Sequence, residues 1–96
     1  MYKNLTLFWE EDALQDRINI FEYLADHNPI AAEKTDLEIE SSAKSLLNNP
    51  ERCPVKTGFK GRCLIMSKVS FLMFYDFDEA LGIVRIVRIL HAKQKH

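Results

Sequence analysis

The sequence predicts one α+β domain spanning residues 1–96, with the order β-α-α-β-β-β and an antiparallel sheet that carries a helical hairpin on one face. The length of 96 residues, 47% of them hydrophobic, suits a single core. Apolar residues recur at helical spacing in the first half, on either side of a break at a proline. Short apolar segments with hairpin-length connections fill the second half.

The first half begins with a predicted strand, Tyr2–Phe8, in which Leu5 and Leu7 point inward. A helix is predicted from Glu10 to about His27, because acidic residues in its first turn favour the positive end of the helix dipole. Its core-facing stripe is predicted to be Leu14, Ile18, Phe21 and Ala25, widened by Ala13, Ile20 and Leu24.

A second helix is predicted from Pro29 to about Leu47. Asn28 is a favoured N-cap, and a proline at the first helical position loses no hydrogen bond. The predicted inner stripe is Ala32, Thr35, Ile39, Ala43 and Leu46. Since almost no chain separates the two helices, they should form an antiparallel hairpin.

Three strands are predicted in the second half, at about Arg62–Ser67, Phe71–Phe77 and Ile83–Leu90. Their short connections make neighbouring strands antiparallel. The last two strands are apolar on both faces, which places them at the centre of the sheet. The predicted core positions are Ile39, Leu46, Leu64, Phe74, Ile86 and Leu90.

The net charge of −1 conceals a balance of −6 over residues 1–50 and +5 over residues 51–96. Two explanations stand side by side: a basic surface that meets an anionic partner, or ordinary solvated faces. Cys53 and Cys63 lack zinc-ligand spacing, so two thiols and no metal are expected. With no cofactor motif, no secretory signal and no membrane-length apolar segment, the expectation is a cytoplasmic protein without cofactor.

Several segments, in the correct order, resemble the RelE/ParE superfamily of bacterial toxins. The segment from Ile86 to Gln94, Ile-Val-Arg-Ile-Leu-His-x-x-Gln, is most similar to the ParE (plasmid stabilization) branch. Gly61-Arg62-x-Leu64 and Phe71-Leu-Met-Phe-Tyr75 resemble two further strand segments of these toxins. Pro29 with Ala31-Ala32 resembles the start of their second helix.

The resemblance implies the toxin of a type II toxin–antitoxin pair, neutralised by a cognate antitoxin. ParE-like members inhibit DNA gyrase without being nucleases, and this activity is the first hypothesis. The implied target-binding residues are Arg62, Arg88, His91, Lys93 and Lys95. The implied antitoxin-binding residues are Arg62, Arg85 and Arg88.

The resemblance also admits a RelE-like endoribonuclease that cuts mRNA on the ribosome. Arg62, Arg88 and His91 would then bind phosphate and exchange protons, aided by Lys56 and Lys60.

The departures from that pattern argue against a nuclease. Leu72 stands where such nucleases carry an arginine, Asp76 replaces a position that is often basic, and no tyrosine follows Leu90. A third hypothesis is a degenerate family member that binds its antitoxin but has no toxic activity. Dimerisation is left open.

Overall fold

The computed structural model describes residues 4–55 and 61–93. The elements are β1 (Thr6–Trp9), α1 (Glu11–Ala25), α2 (Pro29–Ser45), β2 (Arg62–Met66), β3 (Phe71–Asp78) and β4 (Ile83–His91). This is the predicted β-α-α-β-β-β order, and the predicted α+β fold class is confirmed. The predicted N-terminal part of the first strand, Tyr2 and Lys3, lies outside the described residues.

The four strands form one sheet in the order β1-β4-β3-β2. β2, β3 and β4 pair antiparallel, and β3 and β4 are central, as the sequence predicts. β1 instead joins the edge of β4 in parallel, with Thr6 opposite Ile83 and Trp9 opposite Ile86. The sheet is therefore mixed rather than wholly antiparallel, because two helices separate β1 from the other strands and bring it back alongside the last one.

The second helix begins where the sequence predicts. The side chain of Asn28 accepts a hydrogen bond from the Ala31 amide at 3.1 Å, and Pro29 is the first helical residue. The helix ends at Ser45, with Leu46 as its C-cap. All five residues of its predicted inner stripe are buried or partly buried, and four of them are fully buried: Ala32, Ile39, Ala43 and Leu46.

The predicted stripe of α1 is wrong at three positions: Leu14, Ile18 and Phe21 are 44%, 49% and 38% exposed, and we call these three residues the outer stripe. The other predicted members are buried or partly buried: Ala13, Ile20, Leu24 and Ala25. The face that meets the sheet carries Ala13 and Ile20. Because α1 has apolar residues on two sides, spacing alone does not determine which side is buried.

The core lies between the helical hairpin and the central strands. Its fully buried members include Ile39 and Leu46 from the helical layer and Met73, Tyr75 and Ile86 from the sheet. These are its largest contributors. Of the predicted core positions, Ile39, Leu46, Phe74 and Ile86 are buried, whereas Leu64 and Leu90 are only partly buried. Leu64 lies on the edge strand and still packs against the core.

Candidate functional site

The end of β4 lacks a neighbouring strand on one side within the described residues, because β1 ends at Trp9, opposite Ile86. Asp16 of α1 covers this edge. Its carboxylate accepts a hydrogen bond from the Ile89 amide at 2.8 Å. A side chain from the helical layer therefore satisfies a strand amide that would otherwise be unpaired.

The same carboxylate holds Arg88 through two hydrogen bonds, from Nε to Oδ2 at 2.7 Å and from Nη2 to Oδ1 at 3.1 Å. The hydrogen bond with Asp16 raises the pKa of Arg88. The Asp16 side chain is 14% exposed, whereas Arg88 is 43% exposed. Arg88 is thus fixed in position while part of its side chain meets solvent.

A bulge in β4 brings Arg88 to this position. Tyr75 pairs with Ile86 and Phe74 pairs with Arg88, so Val87 has no partner residue in β3. An extra residue of this kind bends a strand and redirects the side chains that follow it. The residues after the bulge, Arg88 to His91, form one side of an open groove.

This groove, of about 540 Å³, lies between the second half of α1, the β2–β3 turn and the end of β4. Its lining combines apolar side chains with polar groups at the rim. The apolar residues are Ile20, Leu24, Val69, Phe71, Ile89 and Leu90, and the polar residues are Asp16, Asn19, Tyr23, Thr35, Ser70, Arg88 and His91. A concave apolar surface with a few convergent polar groups is the usual form of a binding site.

His91 ends β4 at the rim of the groove. Its ring packs edge-on against Phe71, with the centroids 5.2 Å apart, and its Nδ1 accepts a hydrogen bond from the Lys93 amide at 3.1 Å. In the neutral imidazole an accepting Nδ1 leaves the proton on Nε2. Lys93 itself is exposed. The structure therefore brings Arg88, His91 and Lys93 together at one end of the sheet.

Arg62 lies elsewhere in the sheet. It pairs with Tyr75, whereas His91 pairs with Phe71, so about four residue steps, roughly 13 Å, separate them along the strands. Two strand spacings, roughly 10 Å, separate them across the sheet. The Arg62 guanidinium donates to the carbonyl oxygens of Cys53 at 2.6 Å and Glu51 at 3.2 Å. Arg62 thus fastens the irregular segment before β2 to the sheet.

Arg85 is also engaged within the chain. It pairs with Asp76 at 2.9 Å on β3 and with Glu10 at 3.3 Å before α1. Asp76 occupies a position that is often basic in ParE-like toxins. Its carboxylate neutralises the charge of Arg85 on the neighbouring strand. The other predicted cations Lys56, Lys60 and Lys95 lie outside the described residues.

The role of Asp16 was not among the predictions from the sequence. The available signal was an acidic residue on the face of α1 that also carries Ala13 and Ile20, the face that meets the sheet. A partly buried carboxylate on such a face requires a donor, and only the tertiary structure shows that this donor is β4.

The two cysteines are buried free thiols. Cys53 belongs to the core cluster near Tyr75, whose hydroxyl donates to the Pro50 carbonyl at 2.8 Å. Burial raises the pKa of Tyr75. Over residues 4–55 and 61–93, no three His, Cys, Asp or Glu side chains cluster as metal ligands would, and neither helix is both long and apolar enough to cross a bilayer.

Comparisons with known proteins agree with this architecture. The family model of the ParE toxin of the type II toxin–antitoxin system parDE matches residues 7–96. Toxin RelE2 of Caulobacter vibrioides (strain ATCC 19089 / CIP 103742 / CB 15) is 34% identical over 84 residues, which cover 88% of this chain and 91% of that protein. A chain of the chromosomal ParDE TA system from P. aeruginosa has the same fold, with a TM-score of 0.81 at 20% identity over 93% of this chain and 97% of that one.

The fold and these matches define a toxin of the RelE/ParE superfamily, as the sequence predicted. The chain belongs to the ParE toxin family of type II toxin–antitoxin systems. Membership in this family implies a cognate antitoxin as a partner.

Proposed function

We propose that this toxin acts in the cytoplasm as a ParE-like inhibitor of DNA gyrase and is neutralised by its antitoxin. The observation that carries the proposal is that Arg88 and His91 line an apolar groove at the end of β4, and that the exposed Lys93 follows directly, its amide bonded to His91. Such a surface suits binding, because it offers exposed cationic groups beside apolar area. Lys95 continues this basic segment in the sequence.

The arrangement of the same residues argues against the nuclease alternative. Cleavage of RNA without a metal requires a base, an acid and phosphate-binding cations within hydrogen-bond reach of one reacting group, about 3 Å. Arg62 is roughly 13 Å from His91 along the strands and is bound to backbone carbonyl oxygens. Arg88 is bound to Asp16. The three candidate catalytic residues therefore do not converge on one position.

The antitoxin is proposed to fold on the toxin as a helix over the helical pair or as a strand at a sheet edge. Acidic antitoxin residues would meet Arg62, Arg85 or Arg88. Because each of these arginines already has a partner within the chain, the antitoxin would add to or displace existing bonds. Arg88, with 43% of its side chain exposed, is the most accessible of the ion-paired arginines.

The test is to add the purified toxin to a gyrase supercoiling assay and, in parallel, to translating ribosomes. We expect supercoiling to be blocked and ribosome-bound mRNA to stay intact. Joint replacement of Lys93 and Lys95 by Ala should weaken the inhibition more than His91→Ala does. Codon-specific mRNA cuts that disappear in His91→Ala would establish the nuclease instead. Antitoxin binding without either activity would identify a degenerate member.

A further inference from the structure

Asp16 occupies only one edge of the Arg88 guanidinium. Its two hydrogen bonds use the Nε proton and one proton of Nη2, which together form the side-on edge of the group. Both protons of Nη1 and the second proton of Nη2 have no further acceptor within residues 4–55 and 61–93. One proton from each terminal nitrogen points along the end-on edge, where a planar oxyanion can accept both. Arg88 therefore keeps a second binding edge.

The plane of this second edge is fixed by Asp16. The carboxylate is itself held by the Ile89 amide at 2.8 Å, and the Asp16 side chain is only 14% exposed. Two hydrogen bonds to one fixed carboxylate restrict the orientation of the guanidinium, whereas a free arginine side chain samples many rotamers. Because Arg88 is ordered before a partner arrives, the entropic cost of binding through it is reduced.

The groove beside Arg88 indicates which anion suits this edge. Arg88 is the only lysine or arginine among the described residues that line the groove, and the carboxylate of Asp16 balances its charge. A nucleic-acid backbone presents a row of phosphates and requires several cations. The groove instead offers apolar surface, including Ile20 of α1 and Phe71 of β3. One fixed guanidinium beside apolar surface suits a protein segment that carries a carboxylate next to an apolar side chain.

We propose that Asp16 is a positioning residue, which orients Arg88 to bind an Asp or Glu side chain of the target through two parallel hydrogen bonds. An apolar side chain next to that Asp or Glu enters the groove. The inference rests on the proposed function for the identity of the target, gyrase. It adds the chemistry of the contact and a residue that acts on the target only through Arg88.

Arg88→Lys tests the second edge, because lysine keeps the charge but cannot form two parallel hydrogen bonds in one plane. The probe is purified gyrase, with and without DNA, and the measurement is its affinity for the full toxin. We expect a loss of at least about tenfold, the size typical of an interface anchor.

Arg17→Lys is the matched control. Arg17 also binds an aspartate, Asp36, through Nε and Nη2, but it lies outside the groove. The substitution removes the same kind of pair from another part of the fold, so the affinity for gyrase should stay that of the wild type. Thermal unfolding of each variant establishes that it is folded at the temperature of the binding measurement.

Asp16→Asn tests the positioning. The asparagine oxygen can still accept the Ile89 amide proton, but the charge that holds Arg88 is gone. The affinity for gyrase should fall by about two- to tenfold, the cost of ordering one flexible side chain on binding. In an Arg88→Ala background the same substitution should change the affinity no further, because no guanidinium is left to orient. A role of Asp16 in stability alone would give the same loss in both backgrounds.

Three results would overturn the proposal. The first is an Arg88→Lys toxin that binds gyrase as tightly as the wild type. The second is an affinity of Asp16→Asn that rises, or that falls equally with and without Arg88. The third is a loss in Arg88→Lys that occurs only when gyrase carries DNA, which would assign Arg88 to a phosphate. A wild type that binds gyrase in neither form contradicts the proposed target and, with it, a gyrase carboxylate on Arg88.

Discussion

Asp16 joins the helical layer to the exposed end of the sheet. One carboxylate accepts hydrogen bonds from the Ile89 amide and from Arg88. Hydrogen bonds to a charged group contribute more than neutral ones, and a donor that loses its acceptor in a partly buried place incurs a penalty. This residue therefore affects stability and the position of a proposed binding residue together.

Asp16→Ala should lower the free energy of unfolding by about 1.5–3 kcal/mol, measured by urea denaturation. Asp16→Asn is the control, because its amide oxygen can still accept the Ile89 amide proton while the charge that holds Arg88 is gone. Its loss should be smaller than that of Asp16→Ala. Wild-type stability in both variants would show that the carboxylate does not support the edge of β4.

The ionisation of Glu40 makes the free energy of unfolding depend on pH in the acidic range. The hydrogen bond from Arg17 lowers the pKa of Glu40 below its ordinary 4.5, against the opposing effect of burial. A lowered folded-state pKa gives stability that is present above the unfolded value and is lost as the pH falls through the folded value.

We expect the difference in unfolding free energy between the wild type and Glu40→Gln to be greatest near neutral pH and to shrink as the pH falls below 4.5. Urea denaturation at a series of pH values measures it. Glu40→Gln in an Arg17→Met background serves as the control, because the hydrogen bond that lowers the pKa of Glu40 is absent there. A difference between wild type and Glu40→Gln that grows in acid would contradict the pairing with Arg17.

At the scale of the elements, α2 was predictable because local signals agree. Asn28 and Pro29 mark its start, and its apolar residues form one stripe. For α1 the sequence offers two apolar sides, and the choice between them depends on Asp16 reaching β4 and Arg17 reaching α2. The parallel pairing of β1 with β4 joins distant segments without a turn, so no local pattern indicates it.

The residues of the candidate site were implied by the resemblance, and their roles stay predictions. The resemblance implied Arg88, His91 and Lys93; the first two line one groove, and the Lys93 amide is bonded to His91. Arg62 lies apart from them because strand order and register, which are set by tertiary contacts, separate it from β4. The partners of the arginines depend on the same tertiary contacts, so the spacing of residues in the sequence does not predict them.

The C-cap of α2 gives a test of element placement. Leu46 is fully buried, so Leu46→Ala should lower the unfolding free energy by about 2–5 kcal/mol. Leu37→Ala removes the same atoms from a position that is 68% exposed, so it should change the unfolding free energy by no more than about 0.5 kcal/mol. Thermal and urea unfolding measure both. Equal effects would mean that the inner face of α2 is misplaced.

At the scale of the whole molecule, the two halves of the sequence carry opposite net charge. The helical half has a balance of −6, and the half that contains β2, β3 and β4 has a balance of +5. A molecule with such a charge distribution is oriented by the field of a charged partner before contact. The half with the positive balance would then turn towards an anionic partner.

Inhibition of gyrase should accordingly weaken as salt is raised, because screening reduces attraction between exposed charges. Lys93→Ala should reduce this dependence. Lys34→Ala is the matched control, since Lys34 is exposed on α2 in the acidic half, and its salt dependence should equal that of the wild type. Identical behaviour of the two variants would place the contact away from the end of β4.

The pairing of β1 with β4 also affects the order of events during synthesis. Thr6–Trp9 leaves the ribosome before Ile83–Ile86, its partner in the sheet, and closing so long a stretch of chain is slow compared with forming a helix. Until β4 is made, the sheet is incomplete, and the groove beside His91 has no wall from β4. The groove beside His91 is therefore completed only after β4 has emerged, so binding through this groove cannot precede synthesis of the last strand.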